Sequence, residues 1–401
     1  MIHFNDIENA ARAIAGEVIH TPTLSAPRLS ALTGATVFVK YDNMQVTGSF
    51  KERGACNRMQ QLSDDDRRCG VIAMSAGNHA QAVAWHARKL GVPATIVMPE
   101  GTPYVKVENT RALGATVILE GATLAESQQT VERLVTRDNL VLIHPYDDDA
   151  VIAGQGTAAI EMLADAPDLD VLVIPMGGGG LIAGMSVAAK TIKPSIEITG
   201  VEPVLYPSFW NAIKGGDLPI GGQTLAEGIA VKNVGQRTLP LVREHVSDII
   251  LVDESQLERA VSCYANLQRT MAEGAGAAGL AAMLARPELF LGKRVGLILC
   301  GGNIDARILA SIMVRELERE ERIVSFRLTI LDQPGLLGII ATRLGVLGAN
   351  ILEVSHQRLL LDVPAKGVSL DVTVETRGRE HTHAIIAALE QDGFSPRRMG
   401  V

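Results

Sequence analysis

Aromatic residues are scarce in this 401-residue chain, which has 7 Phe, 5 Tyr and 2 Trp against 39 Gly. That balance disfavours a β-sandwich and suits an aliphatic α/β core with many tight turns. Cysteine is equally sparse. Cys56, Cys69, Cys263 and Cys300 lie too far apart for the C-x2–4-C reach of a zinc site, and nothing in them argues for an oxidising compartment. The first three are expected to be buried small hydrophobes. A basic excess is missing as well: 37 Lys+Arg stand against 45 Asp+Glu, a net charge of −8, which disfavours nucleic acid as a partner. The opening MIHFNDIENA has no basic flank followed by an apolar stretch, so a cytoplasmic location is expected. The uncharged run Val171 to Ala189 is long enough for a membrane span, but Pro175 and the glycines Gly177 to Gly180 would break a spanning helix. It reads as strand, loop, helix, and no membrane partner is expected.

What the chain does have is apolar material, 47% hydrophobic against 20% charged, enough for a sizeable core rather than disorder. At ~150 residues per domain its length suits two to three domains. Between about residues 35 and 300, short apolar runs alternate with Ala-rich stretches of helical spacing such as Asn78–Leu90. Candidate strands are Ala35–Tyr41, Val71–Ser75, Ala94–Met98, Thr116–Leu119, Val171–Met176, Glu197–Val201, Asp248–Val252 and Val295–Leu299. This rhythm predicts an α/β fold of mostly parallel sheets with helices on both faces. The almost wholly charged Val314–Arg322 then reads as a solvated helix surface and a hinge. Beyond it come strand Val324–Leu331, helix Leu336–Leu347, strands Asn350–Arg358 and Gly367–Glu375, helix His381–Gln391 and a short last strand. That is the β-α-β-β-α-β order of a ferredoxin-like unit. Residues 321–401 hold 9 acidic and 9 basic side chains, so the net charge lies wholly in residues 1–320. Two domains, 1–320 and 321–401, are the expectation.

Four segments at strand ends carry chemistry. Lys51 follows the Thr47-Gly-Ser49 turn, has Phe50 beside it and opens a helix, whose dipole disfavours the charged amine and so favours a nucleophile. Ser75-Ala76-Gly77-Asn78-His79 ends an apolar run and feeds a helix, an anion site of carboxylate size or simply a helix cap. Gly177-Gly178-Gly179-Gly180-Leu181 lets the backbone curl around a phosphate ahead of a helix. The same run, as Gly178-x-Gly180-x-x-Ala183 with Glu202 ending the next strand, also fits a dinucleotide fingerprint, although a dehydrogenase would have no task for Lys51. Cys300-Gly-Gly-Asn303 is the fourth. Ligands gather beyond the carboxyl ends of parallel strands, so the four should meet at one cleft that takes a phosphate and a carboxylate beside a reactive lysine. Pyridoxal 5'-phosphate and an amino acid supply those groups.

Taken together, Ser49-Phe-Lys51-x-Arg-Gly-Ala55, Ser75-Ala-Gly-Asn-His-Ala80 and the glycine loop resemble those of the threonine ammonia-lyases (threonine dehydratases). These belong to the tryptophan-synthase-β-like, fold type II group of pyridoxal phosphate enzymes. The resemblance covers about residues 1–320 and implies two subdomains, the smaller inserted at about 45–150, and a homodimer or homotetramer. It implies that Lys51 links to the cofactor aldehyde and later moves the Cα proton, that Phe50 packs on the ring and that Asn78 hydrogen-bonds the ring oxygen. By the same matching, backbone of Gly177, Gly178, Gly179, Gly180 and Leu181 holds the phosphate, Ser75, Ala76, Gly77, Asn78 and His79 grip the substrate carboxylate, and Cys300 faces the pyridine nitrogen. A neutral thiol there makes a weaker electron sink than an aspartate would, which suits elimination of a hydroxyl. That leaving group needs a proton, for which the cofactor phosphate is the candidate donor, as no other acid stands out in these motifs. The similar serine racemases carry a serine as second base where this chain has Ala76, so racemisation is disfavoured. A monovalent or divalent cation near Gln223–Ile229 is also implied, but the acidic pattern is only partly present and no metal ligand is assigned.

In the tail, Leu331-Asp332-Gln-Pro334-Gly335-Leu336 leads from strand to helix and Gly348-Ala-Asn350 leads out of it. Such residues punctuate turns and caps. The pattern also resembles the ACT domain, an amino-acid-binding regulatory module, over about residues 323–398. That implies a ligand site at Asp332, Pro334, Gly335, Leu336 and Asn350, with isoleucine or valine as effector and a place in isoleucine biosynthesis. The expected reaction converts L-threonine to 2-oxobutanoate and ammonia, with L-serine going to pyruvate. Deamination of 3-hydroxyaspartate, β-replacement and a non-catalytic amino-acid sensor are the alternatives.

Overall fold

A computed structural model describes residues 1–357 and 367–399, which form two compact units, Met1–Ile304 and Asp305–Val401. In the first unit, a six-stranded sheet has the order Thr23–Ser25, Thr36–Lys40, Arg294–Ile298, Val171–Pro175, Glu197–Pro203, Asp248–Val252. Only its first pair is antiparallel. Every residue of Val171–Pro175 is buried, as an unbroken apolar run covered on both faces should be. The helix after it, Gly180–Ile192, packs on helix Asp149–Asp165. A second, all-parallel sheet, ordered Thr116–Leu119, Ala94–Met98, Val71–Met74, Val141–Leu142, is built entirely within residues 71–142. The strands Thr23–Ser25 and Val141–Leu142 are too short to leave a periodic signal in the sequence. Among the described residues, no helix is long and apolar enough to cross a membrane.

Between the layers lies a buried charge array. Arg53, fully buried on helix Lys51–Gln60, places its Nε 2.7 Å from Asp42 Oδ2 and its Nη1 and Nη2 each 2.7 Å from the Glu161 carboxylate. Lys40 Nζ reaches Glu161 as well and donates to the Thr21 carbonyl. Burial opposes the Asp42 charge, yet the Arg53 guanidinium holds its carboxyl below the usual range. Two cations and two carboxylates thus neutralise one another and tie strand Thr36–Lys40 and helix Asp149–Asp165 to the helix that Lys51 begins.

One side-chain expectation is overturned and a second departs at a single residue. Cys69 is exposed, because it ends the short polar helix Asp64–Cys69, and Cys263 is half-buried; only Cys56 of the three is buried. The charged run is not all solvated. Its helix, Ala306–Arg319, stops before Glu321, which is 7% exposed at a φ of 54° and pairs with Arg379 and Arg398. The Glu321 carbonyl accepts from the Thr376 and Thr382 hydroxyls.

The second unit holds a four-stranded antiparallel sheet, ordered Asn350–Gln357, Gly367–Glu375, Ile323–Leu331, Pro396–Met399, with helices Leu336–Val346 and Arg379–Gln391 in the connections. This is the ferredoxin-like arrangement. Val324, Phe326, Leu328 and Ile330 alternate inward and, with Val368, Leu370, Val372 and Val374, form its core. Arg358, placed at a strand end by the sequence, lies outside the described residues.

Removing the Arg53 side chain leaves the buried Asp42 carboxylate and the partly buried Glu161 carboxylate beside a single lysine. Arg53→Ala is expected to lower unfolding free energy by about 3–5 kcal/mol; an unchanged urea midpoint would show that the array holds nothing.

Candidate active site

Helix Lys51–Gln60 begins where Phe50 N–H donates to the Cys300 carbonyl at 2.9 Å, so the end of strand Arg294–Ile298 locates the helix start. Lys51 Nζ lies 5.2 Å from the centre of the half-buried Phe50 ring and donates to the Pro145 carbonyl at 2.7 Å. Burial lowers its pKa to about 8, while neighbouring Cys300 and Glu273 pull the other way. Burial also raises the Cys300 thiol well above its usual value, so it stays protonated.

The residue after Pro145 connects the lysine to the glycine loop. The Tyr146 ring lies directly against Gly178, where any Cβ would overlap it, and its backbone lies against Gly180. Gly179 takes a φ of 93° and caps helix Gly180–Ile192. The Gly178 carbonyl accepts from Thr238 Oγ1 at 2.8 Å, which holds the loop open in one conformation. Among the described residues, no backbone or side-chain acceptor takes the N–H groups of Gly177, Gly178, Gly179, Gly180 or Leu181. Free donors at a helix N-terminus form a cradle that fits a phosphate.

Ser75 and its loop end strand Val71–Met74. Gly77 N–H donates to Ser75 Oγ at 3.1 Å, and Ala76, Gly77 and Asn78 are half-buried. His79 turns away: its Nε2 donates to the Ile143 carbonyl at 2.7 Å, and burial drops its pKa to about 3, leaving a neutral ring. Asn78 faces the remaining segments. Its Nδ2 donates to Glu273 Oε1 at 2.7 Å, and its Oδ1 accepts from Asn303 Nδ2 at 2.7 Å. The four strand-end segments therefore converge.

Three participants were not legible as motifs. Glu273 occupies the N-cap position of helix Gly274–Ala285 but makes no capping bond, turning instead to Asn78. Burial raises its pKa to about 7, so an acid from outside the four sequence motifs stands beside Asn78. Met271-Ala-Glu-Gly-Ala-Gly276, a glycine-rich helix start, was the available signal. His144 and Tyr146 close the run Leu140–Ile143 at another strand end. The ring nitrogen of His144 accepts from the N–H groups of Tyr146 and Asp147.

Other candidates fall elsewhere. Glu202 is 1% exposed and accepts the N–H groups of Phe209 and Trp210, so it caps a helix and has no oxygen free for a ribose. Glu227 pairs with Lys106. Among the described residues no group of three or more His, Cys, Asp or Glu could hold a metal ion. In the second unit, Asp332, Pro334, Gly335 and Leu336 surround the start of helix Leu336–Val346, whose cap Gly335 has a φ of 86°. Asn350 begins the next strand, beyond the far end of that 11-residue helix, about 16 Å along. These five residues do not form one pocket within the unit.

A lysine that ends beside a cradle of free N–H groups is the combination that pyridoxal phosphate needs. Residues 14–301 match the family described as "Pyridoxal-phosphate dependent enzyme", and the chain belongs to it. Within that family it is similar to the L-threonine ammonia-lyase of Thermotoga maritima, at 40% identity over 100% of both chains. Processed threonine deaminase isoform 2 from Solanum lycopersicum superposes with a TM-score of 0.74 at 34% identity, covering 78% of this chain and 87% of that one. Maize serine racemase gives 0.73 at 34% identity, covering 80% and 99%.

With its charged form disfavoured, Lys51 should react as an amine at unusually low pH. Reductive methylation of the cofactor-free protein, followed at Lys51 and compared with Lys51→Ala, is expected to titrate with a midpoint near 8. A midpoint near the ordinary 10.5 would contradict the burial argument.

Proposed function

We propose that this protein is a pyridoxal phosphate-dependent threonine ammonia-lyase that converts L-threonine to 2-oxobutanoate and ammonia. The observation that carries the reading is Lys51 Nζ, bonded to Pro145 while the adjoining Tyr146 lies on the glycine cradle. The full-length similarity to an ammonia-lyase supports the same reaction. Bound pyridoxal phosphate supplies an electron sink conjugated to the substrate Cα. Lys51 holds and moves the Cα proton at Nζ, a task suited to a buried amine that is readily neutral. The N–H groups of Gly177 to Leu181 bind the phosphate, and the Ser75–Asn78 loop orients the carboxylate with Ser75 Oγ and backbone donors. The Cys300 thiol, protonated by burial, would place no negative charge at the ring nitrogen of a bound cofactor. Phe50 would pack on the ring.

L-Serine is proposed as a second substrate, giving pyruvate. Deamination of 3-hydroxyaspartate or β-replacement would use the same lysine and cradle. Ala76 offers no proton donor or acceptor on its side chain, which favours elimination over racemisation. We also place domains at 1–320 and 321–401, with the second an ACT-like module that binds isoleucine or valine between two copies of the chain. Two copies supply what one lacks, since Asp332 and Asn350 lie at opposite ends of a single sheet. A cytoplasmic homodimer or homotetramer in isoleucine biosynthesis completes the proposal.

Purified protein is expected to release 2-oxobutanoate from L-threonine and to release less when L-isoleucine is present. Release unaffected by isoleucine would leave the lyase standing and remove isoleucine as the effector. Lys51→Ala should abolish turnover while still binding inorganic phosphate. Rapid conversion of L-serine to D-serine would overturn the role given to Ala76.

A further inference from the structure

The orientation of one amide determines whether Asn78 can serve the cofactor, and it is set by a chain of hydrogen bonds that starts at a backbone carbonyl. A carbonyl can only accept, so the Thr47 carbonyl, 2.7 Å from the Asn303 side chain, must face its nitrogen. The same Asn303 nitrogen lies 2.7 Å from Asn78, so the atom it meets there must be the Asn78 oxygen. Asn78 Nδ2 is thereby turned to Glu273 Oε1, an acceptor. Nothing in this sequence of constraints depends on choosing an amide rotamer by hand. The three side chains come from three separate elements, and close packing holds them together. A Cβ at Gly301 would overlap the Glu273 carboxyl and lie 3.2 Å from Asn78 Nδ2. Glu273 N–H in turn donates to the Gly301 carbonyl.

We propose that Asn303 and Glu273 are positioning residues that lock the Asn78 amide with its nitrogen toward the cofactor side of the site. The inference rests on the pyridoxal phosphate reading. Of the two hydrogens on Asn78 Nδ2, one is engaged by Glu273, and the other is left for an acceptor such as the ring oxygen. With the amide reversed, that oxygen would meet the Asn78 carbonyl oxygen and gain no bond. Thr47, Asn303 and Glu273 therefore act on the cofactor through Asn78.

Asn303→Asp tests this directly, because it keeps the shape and replaces the donating nitrogen with an oxygen. Cofactor-free protein would be titrated with pyridoxal phosphate, reading the dissociation constant and the wavelength of the visible absorption band. Asn303→Asp and Glu273→Leu are each expected to weaken binding about tenfold and to shift the band. Glu273→Gln, which can still turn a carbonyl oxygen to Asn78, should restore both toward the native values. If Asn303→Asp does not fold, Asn303→Ser takes its place with the same expectation. Native affinity and an unmoved band in the Asn303 variant would overturn the lock while leaving the cofactor reading intact. So would weaker binding with an unmoved band and a lowered melting temperature, the mark of a merely structural role. Failure of the native protein to take up pyridoxal phosphate at all would overturn the reading and the lock together.

Discussion

The Arg53 guanidinium, buried between Asp42 and Glu161, is the constraint on which the site depends. It lies on the first turn of the helix that Lys51 begins, so whatever fixes Arg53 also fixes the direction of the lysine. Its partners come from the segment after strand Thr36–Lys40 and from helix Asp149–Asp165, which follows the Pro145–Tyr146 segment. One array thereby registers the lysine against both the carbonyl it donates to and the ring that lies on the glycine loop. Buried ion arrays add little net stability over apolar packing, but losing one partner is costly, which makes them better at holding a position than at deepening a fold.

Burial has opposite effects on the acid and the base of the site. It pulls the Lys51 amine down to about 8 and pushes the Glu273 carboxyl up to about 7, and the Cys300 thiol rises further still. Each group moves toward its neutral form near neutral pH. The anions that the site must accept therefore meet few fixed negative charges, and they meet N–H groups left without acceptors in the glycine loop. Asn78 bridges the halves of this arrangement, joining the strand-end loop of the small parallel sheet to Glu273 and Asn303 of the large-sheet region.

The second unit follows different rules. Its core is one face of an antiparallel sheet closed by two helices, and its distinctive turn residues lie at one end while Asn350 lies at the other. Glu321, set in the left-handed region just before the first strand, ties together the entry to that strand, the last helix and the last strand through Arg379, Arg398, Thr376 and Thr382. A run that reads as solvated charge thus ends in one buried carboxylate held by two arginines.

The elements that periodicity and breakers specify locally were legible in the sequence. The unbroken apolar Val171–Pro175, the glycines after it, the Ala-rich helix from Asn78 and the β-α-β-β-α-β tail each declare themselves within a dozen residues. So do Lys51, Asn78 and the glycine loop, because each sits in a short motif at a strand end whose residues are neighbours in sequence. What sequence alone could not supply was any property set by residues far apart in the chain. Cys69 is exposed and Glu321 buried because of how their helices end, not because of their types. Glu273 was hidden because an acid at a helix N-cap usually caps, whereas here it turns to Asn78 across 195 positions. The sequence by itself determined the strand–helix rhythm and the chemical groups that the site can offer. Only the tertiary structure decided their protonation and orientation, because desolvation and hydrogen-bond direction depend on what the fold packs around each group.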